Sequence, residues 1–323
     1  MATTPHPLPE RLLRTVTGPL SVEAVRGPAL AHEHLVLDLD LKGDGAAVLD
    51  ARRHGPAIRS ELAGLRDAFG LALVIELTCR GMGRDPDALV RAARETGVAV
   101  VAATGWYYEP FHPAEDLANA SVAQLADILV REIDEGLGGT GVRPGVLGEI
   151  GSHGETPSEP EARSLRAAAR AAVARDLSVV THAQLGHGGA AQLGLLTKEG
   201  LAPQRICVGH QDLLAEPALH RRLAEEGAYI AFDTVGKESY QSDEVRLRLL
   251  LALLEAGYAD RVLLSCDISR HGYLMSEGGQ GYGHLFRSFL PALRAAGVDE
   301  DLIDLMTRRN PLRFLTGASP EEI

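Results

Sequence analysis

The sequence predicts an α/β protein folded as a (β/α)8, or TIM, barrel with a two-metal site at its C-terminal rim. Three observations predict it. Eight short apolar runs recur along 323 residues, amphipathic segments fill the intervals, and many runs close in residues of metal-ligand type. The runs are 28–34, 71–78, 98–104, 145–149, 178–182, 205–210, 228–233 and 261–267. They are rich in Val, Ile, Leu and Ala and mostly lack alternation, as parallel strands covered on both faces do. An open doubly wound sheet is the rival fold, but it gives no reason for so many runs to end in a ligand-type residue.

The intervals read as helices. Asp85 followed by Pro86 is an N-cap with proline at the first helical position, and Gly97 ends that helix. Ser121 opens a helix with Val122, Leu125, Ile128, Leu129 and Ile133 on one face. Ser158 precedes an Ala/Arg-rich helix reaching 174, and Asp243 precedes a leucine-rich one that Gly257 stops. Residues 42–55 form a loop or helix start. Residues 109–120 and 268–283 form long loops after the third and eighth runs, on the face where barrels build substrate pockets. No boundary divides the chain, so one domain spans 1–323, with residues 1–15 as a peripheral extension.

Composition removes several functions. A formal net charge of −12 argues against nucleic acid, which needs a basic surface. Three cysteines without a CxxC form no disulfide framework and suit a reducing cytoplasm. Residues 1–18 carry no apolar h-region, so no signal peptide is expected, and with no run of about 18 apolar residues no membrane span is expected either. A homodimer is the base-rate expectation for assembly.

The chemistry lies where the runs end. The first closes in His32-Glu33-His34, the fourth in Glu149, the fifth in His182, the sixth in His210 and the eighth in Asp267. Residues two apart on a strand share a side, so His32 and His34 can chelate one ion with Asp267 while Glu33 points away. His182 and His210, from adjacent strands, can hold a second ion, with Glu149 bridging the two. Such N/O donors suit Zn2+, and also Mn2+, Co2+ or Ni2+. Two cations held together lower the pKa of a water between them.

This order of ligands, together with Gly83-Arg84-Asp85, the 103–108 stretch Ala-Thr-Gly-Trp-Tyr-Tyr, Gly209-His210-Gln211-Asp212 and Arg309-Asn310-Pro311, resembles the phosphotriesterase-like branch of the amidohydrolase superfamily. Within it, Gly148-Glu149-Ile150-Gly151, the 232–237 stretch and Asp267-Ile268-Ser269-Arg270 look like the phosphotriesterase homology protein subgroup. The likeness runs from about 15 to 315. Two departures matter. Glu149 stands where organophosphate-hydrolysing members carry a carboxylated lysine, though both are monoanionic oxygen donors. Thr234 stands where they have a histidine and where long-chain acyl-homoserine-lactone hydrolases have an arginine. Both point away from those two activities.

Lys237, Arg270 and Tyr273 follow the last two strands and can bind a phosphate or carboxylate. Tyr107 and Tyr108 can orient a carbonyl, and Trp106 reads as packing. The resemblance implies a hydrolase that opens a phosphorylated sugar lactone, with Asp267 taking a proton and returning it to the leaving alkoxide. An amidase of N-acyl amino or sulfonic acids and a phosphotriesterase are the alternatives. A metal-stabilised metabolite-binding protein stands third. The GxGxxG match at 136–141 follows a helix instead of a strand, so no dinucleotide site is read there.

Overall fold

The computed structural model describes residues 11–113, 117 and 119–323. Eight strands form one parallel sheet in chain order: β1 Ala29–Glu33, β2 Leu73–Glu76, β3 Ala99–Thr104, β4 Val146–Ser152, β5 Val179–Ala183, β6 Ile206–Val208, β7 Tyr229–Phe232 and β8 Val262–Leu264. Each pairs with the next. The ladder stops between β8 and β1. Across that seam Asp267 N donates to His32 O at 3.3 Å, and the Glu33 side chain bonds the turn after β8. The eight expected runs are these eight strands.

Helices cover the outside: α1 Gly55–Phe69, α2 Pro86–Thr96, α3 Val122–Glu135, α4 Glu159–Arg175, α5 Gly189–Lys198, α6 Pro217–Glu225 and α7 Asp243–Glu255. A π-turn over Leu285–Phe289 leads into α8 Leu290–Ala295. Local chemistry sets their ends. Asp85 accepts Ala88 N at 3.0 Å, and Gly97 takes φ +71° to stop α2. Ser121 with Gln124 and Ser158 with Glu161 form reciprocal capping boxes. The cap of α7 is Ser242, whose Oγ accepts Val245 N, because Asp243 is turned back to Gly236 N and His284.

The strands are buried on both faces. Leu30, Val74, Val100, Val179, Val208 and Ile230 pack outward against the helices. Ala31, Ile75, Val101, Val180, Cys207 and Leu263 point inward and fill the barrel. Residues 11–15, expected in a peripheral extension, instead belong to the barrel floor. Leu12–Thr15 pairs antiparallel with Gly18–Ser21, Leu13 is buried, and Val16 N donates to Val100 O at 2.9 Å. Residues 1–10 lie outside the described residues. Among the described residues, no helix is long and apolar enough to cross a membrane, and all three cysteines are buried thiols.

The ladder is irregular in two places. The β1–β2 register shifts between Leu30 and Glu33, and the β4–β5 register shifts between Leu147 and Ile150. An irregularity of this kind re-aims a side chain. These two fall at His32 and at Glu149.

Candidate metal centre

The six strand-end residues meet at the C-terminal rim, all buried. His34 Nε2 lies 3.3 Å from Asp267 Oδ1 and 3.3 Å from Glu149 Oε1. His32 Nε2 lies 4.0 Å from the same Asp267 oxygen and 3.4 Å from Glu149 Oε2. On the other side, Glu149 Oε2 is 3.0 Å from His182 Nδ1 and 3.4 Å from His210 Nε2, and those two nitrogens stand 2.8 Å apart. Glu149 therefore lies between the two groups. Three overlapping sets of donors result: His32, His34 and Asp267; Glu149, His182 and His210; and His32, His210 and Asp233.

Backbone geometry delivers these side chains. His210 and Asp267 both sit at positive φ, +56° and +49°, which turns them off the ends of β6 and β8. Gly209 leads into His210 across a close approach, since a Cβ there would stand 2.1 Å from Thr181 O.

Each imidazole has its other nitrogen fixed. Asp233 Oδ2 accepts from His32 Nδ1 at 2.7 Å, and Oδ1 accepts from His210 Nδ1 and His210 N, both at 3.0 Å. His34 Nδ1 meets Thr78 Oγ1 at 2.9 Å, and that hydroxyl also bonds Glu76. His182 Nε2 meets Gln184 Oε1 at 2.6 Å. Such partners select the tautomer that leaves a lone pair facing a cation. Asp233 closes the seventh run as the six residues close five of the others, a position that alone does not mark it as their partner.

The donor set fits divalent ions. Among the described residues, His32 Nε2, His34 Nε2 and Asp267 Oδ1 are buried without a hydrogen-bond partner, which is costly for polar atoms unless something else satisfies them. Donors about 2.0–2.2 Å from one tetrahedral ion stand roughly 3.3–3.6 Å apart, and most of the separations between these donors fall there. Electrostatics agrees. Burial pulls His32, His34 and His210 down, but facing carboxylates reverse this and carry each up to about 10. The carboxylates are Glu149 and Asp233 at His32, Asp267 and Glu149 at His34, and chiefly Asp233 at His210. Burial would raise Glu149, Asp233 and Asp267. Their cationic neighbours outweigh it, His32 first for Glu149, His210 for Asp233 and Lys237 for Asp267, and hold all three below the usual carboxylate range. Burial lowers His182, which favours its neutral, ligating form. The centre thus asks for positive charge.

A cavity of about 180 Å³ opens onto this cluster, lined in part by Tyr107, Tyr108, Phe111, Thr234, Lys237 and Arg270. Tyr108 stacks on His182 with ring centres 5.4 Å apart, and the Tyr107 hydroxyl stands 3.3 Å from His182 Nε2. Trp106 is fully buried and packs. Arg270 is exposed at the mouth. Lys237, expected as a rim cation, is buried instead. Its ammonium pairs with Asp267 Oδ2 and donates to Ser269 Oγ at 3.1 Å. Tyr273 does not line the cavity, contrary to expectation; its ring lies 5.3 Å from the Lys237 ammonium.

Comparison with known proteins adds a lineage. The model of the phosphotriesterase family matches residues 11–315. The chain is 40% identical over 291 residues to the phosphotriesterase homology protein of Escherichia coli (strain K12), covering 89% of this chain and 97% of that protein. It superposes on that protein's crystal structure, complexed with phosphate in the active site, with a TM-score of 0.87 over 90% of this chain and 99% of the other at 38% identity. It is 32% identical over 281 residues to human N-acetyltaurine hydrolase, covering 83% of this chain and 79% of that one. A mutant of a phosphotriesterase-like lactonase from Deinococcus radiodurans superposes with a TM-score of 0.83 at 31% identity, over 94% of this chain and 99% of the other.

Proposed function

The chain belongs to the phosphotriesterase family of metal-dependent hydrolases, and from that premise we propose that it opens a phosphorylated sugar lactone. His32, His34 and Asp267 would hold one divalent ion and His182 and His210 the other, with the Glu149 carboxylate available to both. When bound, the two ions supply Lewis-acid polarisation of the scissile carbonyl and an activated water. Asp267 accepts the proton released on attack and returns it to the departing alkoxide. Lys237 keeps the Asp267 carboxylate ionised and in place. Tyr107 and Tyr108 wall the cavity beside His182.

One observation carries the choice of an anionic substrate, though not the choice between a lactone and an amide. In a chain of net charge −12, two cations, Lys237 and Arg270, line the cavity that opens onto the histidines. Lys237 is engaged by Asp267 and Ser269, so Arg270, exposed at the mouth, is the cation freer to meet an anion. Phosphate in the active site of the Escherichia coli relative supports the same chemistry. The test is a panel of sugar lactones with and without phosphate. Strong preference for the phosphorylated forms, weakened in Arg270→Ala, is expected. Equal rates on both forms refute the anion pocket.

A second reading, amide hydrolysis of an N-acyl sulfonic acid, is favoured by the likeness to N-acetyltaurine hydrolase. A sulfonate would meet the same two cations. N-acetyltaurine in the same panel separates the readings.

A further inference from the structure

Glu33 stands between two histidines of the centre yet points away from it. It is fully buried, and its carboxylate takes three donors from the turn after β8. Oε1 accepts from Ser265 Oγ at 2.8 Å and Cys266 N at 2.9 Å, and Oε2 accepts from Ile268 N at 2.8 Å. The two backbone donors flank Asp267, the residue held at φ +49°. A left-handed residue between two such amides lets both N–H groups converge on one anion. The same stretch has no strand ladder to hold it, because the sheet stops between β8 and β1. Lys237 meets the Asp267 carboxylate and His32 O takes its backbone N–H, but what grips the turn on both sides of Asp267 is a carboxylate 234 positions earlier in the chain, beside His32 and His34.

We propose that Glu33 is a positioning residue that locks the turn bearing Asp267, and so tightens one of the two ion sites while leaving the other untouched. The inference rests on the two-ion centre of the proposed function. The geometry makes it selective: Glu33 grips the chain on both sides of Asp267, whereas the side-chain bonds of His182 and His210 run to Glu149, Gln184, Asp233, Tyr107 and each other.

The test is metal titration, which needs no substrate. Metal-free parent, Glu33→Gln and Ser265→Ala chains are titrated with Zn2+ against a chromophoric chelator, and with Co2+, whose visible absorption reports each ion's surroundings. In Glu33→Gln an acceptor oxygen becomes an amide that cannot take a backbone N–H. The expected result is about 10–100-fold weaker binding of one ion of two, a changed Co2+ spectrum for that ion, and an unchanged affinity for the other. Ser265→Ala keeps both backbone bonds, so a smaller loss at the same ion is expected, and it carries the test if Glu33→Gln does not fold. Two ions of parental affinity in both variants overturn the proposal alone. So does loss of both ions in step with a lower melting temperature of the metal-free chain, since Glu33 would then hold the fold and not Asp267. A parent chain that binds no ion overturns the two-ion centre and this proposal together.

Discussion

Replacing Asp233 by asparagine separates geometry from bulk, because the two side chains have nearly the same shape. The carboxylate accepts three bonds, two at Oδ1 from His210 and one at Oδ2 from His32. An amide keeps its oxygen where two donors converge, so its NH2 turns to His32 Nδ1. That nitrogen must then accept, which moves the imidazole proton to Nε2, the atom now buried without a partner. A protonated Nε2 cannot ligate. Loss of such an outer partner costs about 10–100-fold in metal affinity, or roughly 1.4–2.8 kcal/mol. The expected outcome for Asp233→Asn is that weakening at the ion shared by His32, His34 and Asp267, with the His182 and His210 site nearly intact. Elemental analysis after dialysis against graded chelator reads it directly. A variant retaining both ions at parental affinity would refute the tautomer argument.

Other single substitutions give further outcomes. Asp267→Asn removes the proton acceptor, and kcat is expected to fall by about 10²–10⁴ with a smaller change in KM, read by steady-state kinetics on whichever substrate the panel identifies. Gly209→Ala drives a Cβ to 2.1 Å from Thr181 O, so a loss of about 1–3 kcal/mol or more in chemical denaturation is expected, together with weaker metal binding as His210 shifts. His220 is buried against Phe232, and burial pulls it down to about 4. The folded chain then binds fewer protons than the unfolded one below pH 6.5. Its contribution is whole above that pH and is lost as pH falls toward 4, up to about 3 kcal/mol. In His220→Leu the stability curve should be shallower across this window, and a slope parallel to the parent's would contradict the assignment.

The barrel was legible because a parallel strand covered on both faces is a continuous apolar run, and its last residue must face the rim. His32, His34, His182, His210, Glu149 and Asp267 announced themselves by standing there. Strand alternation alone, however, does not aim them. The register shifts beside His32 and Glu149 and the left-handed backbone at His210 and Asp267 do, and these depend on how neighbouring strands pair and turn, which no single run reveals. Asp233 looks like any acid after a strand until two imidazoles, 201 and 23 positions earlier, turn toward it. Lys237 was legible as a cation at the rim, but its direction was not. The buried Asp267 carboxylate draws it inward while it still lines the cavity, and Tyr273 packs its ring near the ammonium without lining the cavity itself.

The central claim is that six side chains from five strand ends hold two ions with Glu149 between them. Anomalous diffraction at the metal absorption edge, on crystals of the metal-loaded chain, tests it without any substrate. The expected map has two peaks flanking Glu149, one beside His32, His34 and Asp267 and the other beside His182 and His210. One peak, or none within reach of Glu149, would contradict it.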